Sequence, residues 1–275
     1  MQNLTTTPWR ASLPMYNLPE MRAANAAFWF ALREELTAKG LTDLPGELSF
    51  DRPPVPGAIE PENLFTQVCG YPLQTIYRGQ ARLLGVPCYT AAHCAPGLHA
   101  GVFIVGADAP YRVLEDLRGV NFVFNSRHSN SGMNLPRRAL ADLAGGAPVF
   151  GRITETHSQP ANIERVAKGE ADATCVDCVT YAFYVRHRPE LGTRTRILAT
   201  TPFTPAIPFV TAVTTPEPIV QALQAALFRV ARSPRWAEAR AGLMLADILP
   251  PETADYPVQL RHEAEAAALG YPELA

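Results

Sequence analysis

No apolar run in the 275-residue chain approaches the roughly 20 residues that a bilayer-spanning helix needs. Charge of one sign is also scarce in excess: 24 Lys and Arg stand against 26 Asp and Glu, a formal net charge of -2. A nucleic-acid partner normally requires a concentrated basic face, so no nucleic-acid partner is expected. There is no internal repeat, low-complexity tract or long charge run to mark a repeat array or a disordered tail. The opening stretch, "MQNLTTTPWRASLPMY", lacks the charged start, apolar middle and small-residue cleavage site of a secretory signal. The expectation is a chain that is cytoplasmic as it stands or one whose signal has been removed.

Cysteine is both sparse and odd in number. Cys69, Cys88, Cys94, Cys175 and Cys178 leave one thiol over after any full pairing. That is a poor count for a disulfide framework and favours a reducing compartment. Cys88 and Cys94 could still bridge, and Cys175-x-x-Cys178 has redox or metal spacing, although no second such pair exists. Small buried apolar side chains are the simpler expectation. No metal, no cofactor and no catalytic residue are expected.

What the chain does have is core-forming capacity, with 47% hydrophobic residues, enough for two lobes of ordinary domain size. Strand-like and helix-like runs alternate, the rhythm of an α/β protein. "ASLPMY" reads as a short strand ending at Tyr16. Met21, Ala24, Phe28, Leu32 and Leu36 form one face of a helix that Gly40 ends. "NLFTQV", "ARLLGVPCY", "GVFIVG", residues 120–124, "GRITETH", "ATCVD" and "IPFVTAVTT" read as strands, with a turn at Gly70-Tyr71-Pro72. "SQPANIERVAKGEAD" is a helix with Ser158 as N-cap and Pro160 in its first turn. "CVTYAFYVRHRPE" is another, and the chain from Pro216 onward reads as mostly helical.

In open α/β sheets, ligands bind beyond the carboxyl ends of the strands. At those ends lie Tyr16, Gln67 and Tyr71, then the run "NSRHSNSGMNLP", His157 and Asp177. That run has neither the lysine of a Walker loop nor the paired glycines of a dinucleotide fingerprint. A helix N-terminus can nevertheless receive an oxyanion without a cation, through its unpaired N–H groups and partial positive charge. Ser129, Asn130 and Ser131 would add donors, and Gly132 would let the backbone approach closely. Pro136 leaves the helix start open. With Ser129 as N-cap it lies too deep; with Asn134 as N-cap it falls in the first turn. Each residue also has a plainer reading: a polar turn, a surface-loop histidine at His157, core-edge aromatics at Tyr16 and Tyr71. Asp177 sits on an apolar strand, where it must pair, cap the next helix or meet a ligand.

Four segments carry a resemblance: "ASLPMYNLPEM", "LFTQVCGYPL", "VLEDLRGVNFVFNSRHSNSG" and "THSQPANIERVAKGEADATCVDCVTYAF", with "RHEAEAAALGYPEL" agreeing in the tail. Together they resemble the phosphate/phosphite/phosphonate-binding family of ABC-transporter solute-binding proteins. The resemblance implies a type II periplasmic binding protein fold: α/β, two lobes, each a mixed sheet flanked by helices, joined by two hinge crossings. Lobe 1 would be residues 1–105 plus 207–275 and lobe 2 residues 106–206, with a ligand crevice between them. By the same resemblance, Ser129 and Ser131 bind the oxyanion with Asn130 between them. His157 also contacts the anion, Asp177 is the acidic contact, and Tyr16 and Tyr71 are aromatic contacts.

The pattern departs from the family at Asn130, where Thr is common, and at His99, where an aromatic is more familiar. Arg127 and His128 add cationic or switchable groups nearby. The implied function is capture of a small oxyanion by a monomeric, non-enzymatic, periplasmic protein that delivers it to a membrane permease. Two other classes stand beside it: a cytoplasmic ligand sensor, and an enzyme on the same scaffold using His157 with a Cys175 or Cys178 thiol. A carboxylate ligand is a further alternative.

Overall fold

A computed structural model describes residues 9–275 of the chain. The first eight residues of the stretch read for a secretion signal lie outside the described residues. The chain divides into two compact units. One comprises the residues up to Cys69 with Tyr77–Thr90 and Ala206–Ala254; the other comprises Gly70–Ile76, Ala91–Pro205 and Asp255–Ala275.

The first unit is built on a five-stranded sheet in the order Arg10–Ala11, Asn63–Gln67, Phe209–Ala212, Ala81–Tyr89, Leu245–Leu249. Its first pair is parallel and the rest antiparallel. Two long helices, Arg22–Thr37 and Glu217–Arg232, pack with it. Phe28, Leu32 and Leu36 recur at helical spacing on the first, and Val220, Leu223, Leu227 and Val230 on the second; all are buried. Aromatic stacking joins helix to sheet: Phe28 lies 5.6 Å from Phe209, which lies 5.4 Å from Phe65.

The second unit holds a five-stranded sheet in the order Thr195–Thr200, Gly101–Gly106, Ala173–Asp177, Asn121–Phe124, Arg152–Glu155. The last three strands run parallel, so their carboxyl ends share one edge. Gly101–Gly106 runs antiparallel to both neighbours, and Gly101 is paired with Asp177. Its amino end therefore reaches the same edge, as does the carboxyl end of Thr195–Thr200. All five strands thus deliver chain to one place. A small antiparallel sheet of Thr204–Pro205, Leu98–His99 and Cys94–Ala95 lies within this unit. The core beneath includes Phe103, Phe122, Phe150, Leu140 and Cys175, with Phe122 and Phe150 stacked at 4.2 Å.

Several elements differ from the sequence pattern. Gly101–Gly106 belongs to the second unit because it pairs with Ala173–Asp177. The tail helix Val258–Ala268 does too: it packs on Leu135–Ala144, and Arg138 donates to Glu265 across the pair at 2.7 Å. Gly70-Tyr71-Pro72 is the start of a short helix, Gly70–Gln74, and Leu245–Leu249 is a strand inside the supposedly helical remainder. The strand expected through Tyr16 stops at Ala11, with a single further bridge between Ser12 and Ser49; Pro14 has no N–H to extend the ladder.

Candidate functional site

After the Asn121–Phe124 strand the chain reaches Ser129 in an extended conformation, φ -79° and ψ 133°. Its Oγ accepts from the Gly132 N–H at 2.9 Å, an N-cap in the ordinary sense. The chain then forms a π-helical turn, Asn130–Asn134, in which Asn134 N–H donates to the Ser129 carbonyl at 3.0 Å and Leu135 N–H to that of Asn130. The turn runs directly into the helix Leu135–Ala144. Both sequence alternatives for the helix start are therefore partly realised. Ser129 caps the turn, and Pro136 still falls at the first positions of the regular helix. The wider i→i+5 turn accommodates a proline that an α-helix starting at Ser129 would not tolerate.

Gly132 is fixed by sterics. A Cβ there would overlap Asn125 Oδ1 and come within 3.0 Å of Ser129 Oγ. Asn134 ties the turn down, donating to Asn130 Oδ1 at 3.2 Å and to the Gln259 carbonyl at 3.0 Å.

The hydroxyl of Ser131 accepts from Gln159 Nε2 at 2.9 Å, and Gln159 Oε1 accepts from the Asp177 backbone N–H at 3.0 Å. Asp177 caps the helix Cys178–His187, its Oδ1 accepting from Val179 N at 2.7 Å and Thr180 N at 3.1 Å. Its Oδ2 lies 2.6 Å from His99 Nδ1, with both side chains almost wholly buried. His99 is the cross-strand partner of Thr204, whose Oγ1 accepts from Asn130 Nδ2 at 3.0 Å. Ser131, Gln159, Asp177, His99, Thr204 and Asn130 therefore close a ring of contacts at the strand-end edge.

Electrostatically, burial alone would disfavour a charged His99. The Asp177 carboxylate opposes that through its charge and hydrogen bonding, with Cys178 adding to it, and the histidine pKa is raised above its usual value. An imidazolium–carboxylate pair carries no net charge. Three helical N-termini open at this edge, at Ser129, Ser158 and Asp177, each with its partial positive charge. Ser158 caps its helix as expected, accepting from Ala161 N at 3.2 Å. Because Ser129 and Ser131 each use their oxygen as an acceptor, each still has an O–H to donate.

The remaining residues lie elsewhere. His157 has left-handed backbone, φ 65°, and its side chain is 81% exposed, 3.8 Å from Glu155. It is not part of the buried ring. Tyr71 lies in the core of the second unit, its hydroxyl pKa raised by burial and by neighbouring Glu263. Tyr16, in the first unit, packs edge-on to Tyr89 at 5.5 Å, and Gln67 Nε2 donates to the Tyr89 hydroxyl at 3.3 Å. Asp172, five residues before Asp177 in the segment "GEADATCVD", accepts from Asn121 N at 2.8 Å and from the Tyr111 hydroxyl at 3.2 Å. It clamps the start of a strand, away from the ring. Sequence reasoning missed Gln159 and Thr204. Gln159 is masked by the cap that precedes it, and Thr204 sits in a two-residue strand with no periodicity to show it.

Residues 90–256 match the sequence profile of a family described as ABC transporter, phosphonate, periplasmic substrate-binding protein. The chain belongs to that family. The fold agrees. A binding protein component of an ABC phosphonate transporter, PA3383 from Pseudomonas aeruginosa, superposes with a TM-score of 0.72 at 14% identity, covering 96% of this chain and 88% of that one. PhnD1 from Prochlorococcus marinus (MIT 9301), solved in complex with methylphosphonate, gives 0.61 at 14% identity over 95% and 99%. XAC2383 from Xanthomonas citri, solved bound to ATP, gives 0.65 at 16% identity over 96% and 97%. No curated protein matches the chain. The family fold is the two-lobed α/β type II periplasmic binding protein, as the resemblance implied.

Proposed function

We propose that this protein is the periplasmic solute-binding component of an ABC importer and captures a small phosphorus oxyanion, a phosphonate, phosphite or phosphate-like ion. Within the second unit the anion is received at the Ser129–Ser131 turn. The observation that carries this reading is the Gln159 bridge. It holds Ser131 beside Asp177 with both serine O–H groups left to donate, at an edge where three helical N-termini open. The charge of Asp177 is offset by His99, so the edge is not dominated by a bare carboxylate that would repel an anion. Tyr16, Tyr71 and the exposed His157 are proposed as secondary contacts, each testable by its own substitution.

Capture without chemistry suits the thiols. Burial raises the Cys175 pKa well above its usual value, and the hydrogen bond with Cys94, then burial, raise that of Cys178. Neither thiol has the lowered pKa that marks a catalytic cysteine. The test is a thermal-shift panel of phosphate, phosphite, methylphosphonate, aminoethylphosphonate and small carboxylates. A ligand at 100 times its Kd stabilises by about 2.7 kcal/mol. A rise in Tm with a phosphorus oxyanion supports the proposal; a response to carboxylates alone, or to nothing, removes it.

A further inference from the structure

Neither cysteine pairing suggested by sequence spacing is the pair that meets in space within the second unit. Cys94 Sγ lies 3.5 Å from Cys178 Sγ, across 84 residues of chain. Their positions are specific. Cys94 is the cross-strand partner of His99, and Cys178 directly follows Asp177. The two thiols therefore flank the buried His99–Asp177 pair, one on each of the elements that supply it. Cys94 is partly exposed and Cys178 is buried, its thiol also near the His93 carbonyl at 3.3 Å. Cys175 is buried in the core of the unit.

We propose that Cys94 and Cys178 form a disulfide-forming pair whose bond ties the Cys94–His99 hairpin to the start of the Cys178–His187 helix, fixing His99 against Asp177. The sulfurs need to close to about 2.05 Å, a movement small enough for side-chain rotation and slight hairpin shift. The oxidant is a disulfide compound such as oxidised glutathione. Cys94, the accessible partner, loses its proton to solvent and attacks one glutathione sulfur, breaking the S–S bond and releasing one glutathione thiolate, which takes up a proton. Cys178 then loses its proton and displaces the second glutathione from Cys94. Two protein thiols and one oxidised glutathione become one protein disulfide and two reduced glutathiones. The pair is a site of covalent modification independent of what ligand the protein binds.

The test uses the full chain without ligand. It is equilibrated with oxidised glutathione, remaining thiols are blocked with N-ethylmaleimide under denaturing conditions, and the unreduced digest is mapped by mass spectrometry. The expected result is a Cys94–Cys178 cross-linked peptide lighter by two hydrogens, with Cys69, Cys88 and Cys175 alkylated. Oxidised protein should melt roughly 5 °C or more above reduced protein, since the bond closes a long loop. That difference should vanish in both Cys94→Ser and Cys178→Ser. Alkylation of both cysteines after oxidation, a stable glutathione adduct on Cys94, or a cross-link to any other cysteine overturns the proposal. Because no ligand is used, failure here leaves the oxyanion reading standing, and failure of the ligand panel leaves this one standing.

Discussion

His99 Nδ1 and Asp177 Oδ2 lie 2.6 Å apart, buried, between residues 78 positions apart in sequence on neighbouring strand ends. The antiparallel course of Gly101–Gly106 brings His99 to the edge where the parallel strands end. The pair neutralises an acidic residue at an edge where three helical N-termini open.

The pair sets a pH dependence. His99 has a folded pKa above its usual value of about 6.5, so the folded chain binds more protons than the unfolded one between those two values. Its stabilisation is fully present below the unfolded pKa and is lost as pH rises through the folded pKa. Tm measured from pH 6 upward should fall more steeply in the wild type than in His99→Gln. Parallel profiles for the two proteins would contradict the role given to this pair.

Asp177→Asn leaves His99 buried without its anion and weakens two cap hydrogen bonds. Breaking a buried pair from one side costs about 3–5 kcal/mol, and urea unfolding should show a loss in that range. The same variant should alter the pH dependence of oxyanion binding, admitting fully deprotonated ligands more readily. An unchanged pH profile would remove Asp177 from ligand selection.

Gly132→Ala should destabilise by about 1–3 kcal/mol, because the added methyl overlaps the Asn125 side chain and crowds the Ser129 cap. Oxyanion binding should weaken along with it. A variant of wild-type stability and affinity would show that the turn can relax around a side chain.

Asn130→Ala removes the donor to Thr204 and the acceptor for Asn134, both buried. Losing a buried partner costs about 1–3 kcal/mol. Asn130→Thr cannot span both contacts, and denaturant titration should rank it between alanine and wild type.

Local signals are readable where one residue determines the outcome. Ser158 reads as a cap because a serine stands before a proline-bearing helix, and Gly40 reads as the end of the first helix, where the structure gives φ 89°. Asp177, on its apolar strand, has to pair, cap or meet a ligand, and the fold uses the first two together. The Pro136 ambiguity dissolves because the chain uses a π turn, a rarer geometry than either option. Non-local relationships leave no such trace: the His99–Asp177 pair, the Cys94–Cys178 approach and the Gln159 bridge depend on strand order. Leu245–Leu249 escapes for a related reason, since five residues between helices show no period that separates strand from helix. The left-handed backbone that leaves His157 outward has no local signature in a histidine.

An oxyanion held at the Ser129–Ser131 turn is the central claim, and calorimetric titration of wild type and Ser131→Ala with methylphosphonate, phosphite and phosphate tests it most directly. At least one should bind the wild type, and Ser131→Ala should lose about 1.5–3 kcal/mol of affinity, the range for a hydrogen bond to a charged group. Ser129→Ala should lose a comparable amount. No binding of any phosphorus oxyanion to the wild type, or equal affinity in the serine variants, would contradict it.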